Sequence, residues 1–316
     1  MQIRYSGEGD SVQFKLFEGL SQILRKNSEG VFEGQLEIQN LDDAIFSYDI
    51  IVHKKDGLGN MTELQYGPES KEERHFIWVG NKRNISFFKA DKLSGELIYN
   101  EINSINLEEN RSLTTYNPKE LNEETPIIYL TDGSVVKDYA PYVDYLISKG
   151  KIKPIKLVGV HSSRTNRYQE YVENEMGNDF FKKHENFFYK EVLSEIESDM
   201  SNWKGKRYIY GFSNGGAFCI HAGINHPKVF EEIIAFSIAD YISEFRRPIE
   251  FNFENYSKFY MGAARYEENF FSDNIKFVQK LKAKNIDVEF KEFISGHDYN
   301  VWKFEFLQYL EKRFEK

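Results

Sequence analysis

A serine hydroxyl can open an ester when a base takes its proton, an acid holds that base, and N–H donors face the developing oxyanion. The stretch Gly211-Phe212-Ser213-Asn214-Gly215-Gly216 offers such a serine within a Gly-x-Ser-x-Gly pattern. Short as it is, the pattern takes its meaning from its flanks. Upstream, Arg207-Tyr208-Ile209-Tyr210-Gly211-Phe212 is an aromatic and β-branched run of the buried-strand type. Downstream, residues 216–225 read as a helix that ends before Pro227. A serine between strand and helix occupies a sharp, strained turn that projects its hydroxyl beyond the sheet edge. Glycines two before and two after it remove the Cβ atoms that would keep strand and helix apart. Ser213 is therefore the candidate nucleophile. Cys219, the single cysteine, lies on the following helix, reads as a small buried apolar residue and excludes an intrachain disulfide.

The base and the acid must follow in the order serine, acid, histidine. Of His221, His226 and His297, the first two are carried away from the hydroxyl by the helix and read as structural or surface residues. His297, in Ile294-Ser295-Gly296-His297-Asp298-Tyr299, follows the last expected strand, where a base is presented. The acid belongs after the penultimate strand, where residues 263–269 offer Glu267 and Glu268. Adjacent side chains point apart, so only one can reach the ring; Glu267 is the preferred acid and Glu268 the alternative. Asp273 falls where a helix has begun, and Asp298 is a sequence neighbour badly placed to orient the ring beside it. For the oxyanion, Asn214 offers one N–H. Gly133 or Ser134 offers the other, in the loop Leu130-Thr131-Asp132-Gly133-Ser134, where Asp132 also suits a plain turn. This chemistry requires no metal and no organic cofactor, and no residue is assigned to either.

These groups need a sheet to position them. From about residue 106, buried-type runs at 126–131, 155–160, 207–212, 232–238, 259–262 and 288–294 alternate with helical patterns near 142–149, 187–200, 216–225, 269–284 and 302–312. That alternation implies an α/β domain over 106–316 with a mostly parallel sheet flanked by helices. Residues 1–105 instead carry short strand-like runs at 12–17, 32–38, 46–53 and 75–79 separated by turns such as 27–30 and 55–60, which suggests a small β-sandwich module. Trp78 reads as a strand core residue, with a sugar-facing role as the alternative.

Over 316 residues, 50 acidic side chains outweigh 41 basic ones, and the net charge of −9 speaks against a nucleic-acid surface. The aromatic share of 16% supplies a large core and leaves rings to line a cleft. No apolar run reaches the roughly eighteen residues that would span a bilayer, and the N-terminus lacks a basic and apolar leader pattern. The expectation is a soluble, cytoplasmic protein. Its oligomeric state is not legible.

Five elements in order resemble the esterase-D-like "putative esterase" family, an α/β-hydrolase group that includes enterochelin esterases, feruloyl and acetyl-sugar esterases and mycolyltransferases. They are Pro126–Gly133, similar to Pro-x-x-Tyr-Leu-x-Asp-Gly; Arg167-Tyr168-Gln169-Glu170-Tyr171, similar to Arg-x-x-Glu-Tyr; the elbow at 211–216; His226-Pro227 at a helix end; and Gly296-His297 through Trp302, similar to Gly-His-x-x-x-x-Trp. Ser295 stands where many relatives carry glycine. The resemblance implies Ser213 and His297 as nucleophile and base, an acid at Glu267 or Glu268, and a loop-bracing role for Arg167 and Glu170. It also makes the N-terminal module immunoglobulin-like in layout. The expected activity is hydrolysis of a small-molecule or glycan-linked carboxylic ester through an acyl-enzyme. An enterochelin-type trilactone esterase is favoured, with a carbohydrate acetyl or feruloyl esterase next. A catalytically silent binding protein is the alternative of another class.

Overall fold

The computed structural model describes residues 1–16, 21–56, 61–66, 76–83, 88–173, 179–198, 202–238, 255–267 and 269–316. Glu268, His75 and most of the turn expected at 55–60 lie outside them. The chain divides into two compact units. One groups Met1–Ser86 with Ala264–Glu268 and Glu292–Phe304; the other groups Phe87–Ala263 with Asn269–Lys291 and Glu305–Lys316.

The first unit carries strands β1 (Gln2–Tyr5), β2 (Ser11–Leu16), β3 (Ser21–Lys26), β4 (Phe32–Gln35), β5 (Ile45–Lys55), β6 (Met61–Tyr66) and β7 (Phe76–Val79). They pair antiparallel in the order β1-β4-β3-β2-β5-β6, with β7 also on β5. Alternation sets the faces: Val12, Phe14 and Leu16 are buried while Gln13 and Lys15 between them are not. They pack with Leu24, Phe32, Phe46 and Val52. Trp78 stacks on Phe46 at 6.2 Å, and its indole N–H donates to the Leu41 carbonyl, so the ring serves packing here.

The second unit is mixed α/β. It runs β8 (Glu96–Ser104), β9 (Glu109–Asn117), β10 (Ile127–Thr131), α1 (Val135–Ser148), β11 (Lys156–Val160), α2 (Arg167–Tyr171), α3 (Phe180–Asn186), a π-helical turn (Phe187–Val192), α4 (Leu193–Glu197), β12 (Arg207–Phe212), α5 (Ser213–Asn225), β13 (Glu232–Phe236) and β14 (Lys258–Ala264). There follow α6 (Asn269–Ala283), β15 (Val288–Phe293) and α7 (Tyr299–Arg313), the last two elements running on into the first unit. The sheet order is β15-β14-β13-β12-β10-β11-β9-β8. Pairings from β11 through β14 are parallel, and β9 runs antiparallel to both β11 and β8. Every residue of β10, β11 and β13 is buried, which explains their largely apolar composition.

The chain leaves β10 for β11 on one side and later returns to β12 on the other. Such a reversal opens a crevice beyond the strands' carboxyl ends, where ligands of α/β sheets bind. One helix departs from its pattern. The run expected at 187–200 starts as α3 at Phe180 and passes through the π-helical turn, whose wider circuit lets adjacent Phe187 and Phe188 both face the core. Full burial of such a ring contributes roughly 1.5–3 kcal/mol. Among the described residues no helix is long and apolar enough to cross a membrane.

Candidate active site

The turn at Ser213 is built as its residue types require. Strand β12 stays extended through Phe212 (φ −135°, ψ 158°), and Ser213 then takes φ 52° as the first residue of α5. A non-glycine residue held there costs of order 1–3 kcal/mol and persists only where its surroundings fix it. They do so here through contact too close for side chains. A Cβ on Gly211 would lie 2.5 Å from the Gly215 carbonyl oxygen and 2.5 Å from Thr131 Oγ1. One on Gly215 would lie 2.2 Å from that same hydroxyl. Ser213 and Asn214 are only partly buried. Their N–H groups belong to the first turn of the helix.

Beside this turn lies the loop after β10, the strand paired with β12. Asp132 also has a positive φ, 54°. Arg167 grips its carboxylate bidentately, Nε to Oδ1 at 2.5 Å and Nη2 to Oδ2 at 2.7 Å, while the Asp132 N–H donates to the Tyr171 hydroxyl at 2.8 Å. The Gly133 N–H is engaged, donating to the Val160 carbonyl at 3.0 Å. Gly133 and Gly159 meet so closely that a Cβ on either would collide with the other's backbone. Ser134, exposed, opens α1.

Glu170 is not a surface ion-pair partner. It is 2% exposed and bonds both terminal nitrogens of Arg111 (2.9 and 2.6 Å), itself 3% exposed. Glu170 Oε2 also accepts the Ser163 N–H at 2.8 Å, and Arg111 reaches the His161 carbonyl at 3.1 Å. Arg111 was missed in the sequence because it lies 59 positions from its partner, with no spacing to flag it. Burial, followed by the Arg111 charge, lowers the His161 pKa and keeps that ring neutral.

His297 and Glu267 are brought together. His297 Nδ1 lies 2.7 Å from Glu267 Oε1, and the Ala264 N–H donates to Oε2 at 2.9 Å. The glutamate side chain is almost fully buried and the imidazole is 13% exposed. Held this way, the ring carries its proton on Nδ1 and presents Nε2 as the basic nitrogen. Trp302 meets the ring edge to face, with centroids 4.6 Å apart. Asp298 is buried and committed elsewhere: it accepts the Ser47 N–H, the Ser47 hydroxyl at 3.0 Å and the Asn300 N–H at 2.8 Å. The loop bearing His297 is further held by the Ile45 N–H on the Ile294 carbonyl (3.0 Å), and the Tyr266 N–H on the Ser295 carbonyl (2.9 Å) joins it to the turn that carries Glu267.

Residues 104–252, which contain Asp132, Gly133, Arg167, Glu170 and the whole elbow, match the model of the family described as "Putative esterase". Over this segment the chain is similar to the putative esterase family. Solved structures match beyond the segment. A ferric enterobactin esterase from Salmonella typhimurium superposes at a TM-score of 0.75 and 13% identity, covering 98% of this chain and 92% of that one. An enterobactin esterase from Shigella flexneri, crystallised in the presence of enterobactin, gives 0.71 and 14% over 98% and 91%. A ferulic acid esterase gives 0.56 and 21%, covering 70% of this chain and 98% of its own. At these identities the likeness establishes the fold. No curated protein sequence matches the chain.

Proposed function

We propose that the chain is a serine esterase working through an acyl-enzyme on an α/β-hydrolase scaffold. The observation that carries this reading is Ser213 at φ 52° between a buried parallel strand and a helix, in a turn that only Gly211 and Gly215 permit. Ser213 Oγ attacks the ester carbonyl carbon while His297 Nε2 takes its proton, and Glu267 stabilises the imidazolium through Nδ1. The Asn214 and Ser134 N–H groups receive the oxyanion; Ser134 is preferred to Gly133 because the Gly133 N–H already serves Val160. The imidazolium then protonates the departing alkoxide. Water, deprotonated by the same nitrogen, attacks the acyl carbon and releases the acid, restoring the serine. None of these steps calls on a metal or cofactor.

For the substrate, the reading is an enterochelin-type siderophore ester acting in the cytoplasm. It is supported by the enterobactin esterases, whose folds cover this chain's N-terminal module as well, whereas the ferulic acid esterase covers 70% of the chain. Hydrolysis of a catecholate trilactone, compared with a feruloylated or acetylated xylan, separates the two. The mechanism is tested with a fluorophosphonate probe and p-nitrophenyl butyrate. Wild-type protein should be labelled and active, and Ser213→Ala, folded by circular dichroism, should be neither. Activity retained by Ser213→Ala overturns the mechanism; an unlabelled, inactive wild type favours the silent binding protein.

A further inference from the structure

At the far end of the nucleophile helix α5, away from Ser213, two imidazoles converge on one carboxylate oxygen. His221 Nε2 lies 3.1 Å and His226 Nε2 2.6 Å from Glu185 Oε1. The three donor atoms all sit within 4.8 Å of one another. We propose that Glu185, His221 and His226 form a binding site for a zinc-class divalent cation, with water completing the tetrahedron.

Two imidazole nitrogens and one carboxylate oxygen are a known zinc donor set. Tetrahedral zinc, with ligands at about 2.0–2.2 Å, spaces neighbouring donors roughly 3.3–3.5 Å apart. The two histidine–carboxylate separations fall short of that by less than about 1 Å, so these side chains need to open only slightly to admit an ion. The fold aims the rings. Helix α5 ends at Asn225, and His226 leaves it at φ −127°, ψ 53°, which turns its side chain back toward His221. Phe181 meets the His221 ring edge to face at 4.6 Å, and Tyr189 lies 4.1 Å from the His226 ring. Glu185 and His221 are buried, while the His226 side chain is 33% exposed, giving an ion a way in from solvent.

The partners around the cluster suit a bound cation. Lys182 bonds Glu185 Oε2, the carboxylate's other oxygen, and leaves Oε1 to the histidines. Asn225 Nδ2 lies 3.0 Å from His221 Nδ1 and donates to the His221 carbonyl at 3.2 Å. In that arrangement the His221 proton is on Nε2, directed at Glu185. Metal binding moves it, and the proton that His226 Nε2 directs at the same oxygen, through solvent to the Nδ1 of each ring; at His221 the Asn225 amide, rotated, accepts it. The imidazole stays neutral throughout, and Asn225 becomes the outer partner that fixes the ligand's tautomer. The cation would clamp α3 to the end of α5 and takes no part in ester cleavage.

Full-length protein, stripped with chelator, is titrated with Co²⁺ and Zn²⁺. One Co²⁺ per chain should give the intense visible absorption of a tetrahedral N/O site, and Zn²⁺ should displace it. Saturating Zn²⁺ should raise the Tm. His226→Ala and Glu185→Gln should each weaken binding by more than the roughly 10–100-fold expected of an outer-partner change. His226 is the safer site because it is partly exposed, and near-unchanged metal-free circular dichroism shows that the variant folds. Absence of tetrahedral Co²⁺ absorption in the wild type, or an identical spectrum and affinity in folded His226→Ala, overturns the proposal and leaves a hydrogen-bonded cluster.

Discussion

Replacing Glu267 by glutamine tests how the acid works, because the structure dictates which way the amide must face. Glu267 Oε1 meets His297 Nδ1 at 2.7 Å and Oε2 accepts the Ala264 N–H at 2.9 Å. An amide has one oxygen for these two positions. With the oxygen toward His297, the NH2 confronts the Ala264 N–H in a buried donor–donor contact, leaving a backbone donor unsatisfied at about 1–3 kcal/mol. The opposite orientation keeps the Ala264 bond and points NH2 at Nδ1. That forces the ring proton onto Nε2, the nitrogen that should receive the serine proton. The second orientation prevails, so kcat for p-nitrophenyl butyrate should fall about 10³–10⁴-fold. This corresponds to roughly 4–5.4 kcal/mol at about 1.36 kcal/mol per decade. KM should change little, and Tm should show the protein folded. A folded Glu267→Gln enzyme within about tenfold of wild-type kcat would refute the tautomer argument and the acid's assignment together.

Two further outcomes concern stability. His184 is fully buried among Tyr171, Phe187 and Phe218, and neither ring nitrogen has a hydrogen-bond partner. Burial, with the Arg111 charge second, lowers its pKa to about 3. Between its ordinary value near 6.5 and about 3, the unfolded chain binds the extra proton, so His184 costs no stability above pH 6.5 and destabilises the fold progressively as pH falls through that window. His184→Phe should flatten the acid side of a urea-stability profile; an unchanged slope would show that the imidazole is not held neutral. Glu170→Ala strips a buried arginine of its bidentate partner, which should cost about 3–5 kcal/mol. At about 2–4 °C per kcal/mol the Tm falls by roughly 6–20 °C in a thermal scan. The double variant Arg111→Met/Glu170→Leu should recover much of it, and a double variant no better than the single would contradict the account.

What the sequence revealed was local. The run 207–212 is strand β12 to the residue, and residues 216–225 fall within α5, because buried-strand composition and a proline stop are written at short range. The helix begins three residues earlier than read, at Ser213 itself, since its first turn is made of glycines with low helix propensity that tertiary contact holds in place. The place of Glu267 beside His297 depends on backbone dihedrals after β14 that composition does not encode; the short 3₁₀ turn at Arg265–Glu267 turns the carboxylate back to the Ala264 N–H and the His297 ring. Arg111, Glu185 and the role of His226 escaped for one reason. Their partners lie 59, 36 and 41 positions away, and only the packed fold makes them neighbours.

Ser47 has a consequence for how this chain can be cut apart. It sits on β5, in the N-terminal module, and its backbone and hydroxyl hold Asp298, the residue next to His297. Tyr266, next to the acid, bonds the Gln39 carbonyl at 2.6 Å, and Ile294 packs against the module's apolar core. A hydrolase trimmed to begin at residue 87 would keep Ser213 and every strand around it. It would lose the contacts that hold the His297 loop and the Glu267 turn, and a buried Asp298 would be left without its β5 partners. The module is thus not detachable equipment: residues 264–268 and 292–304 belong to the same compact unit, and grafting a foreign module would require grafting them with it.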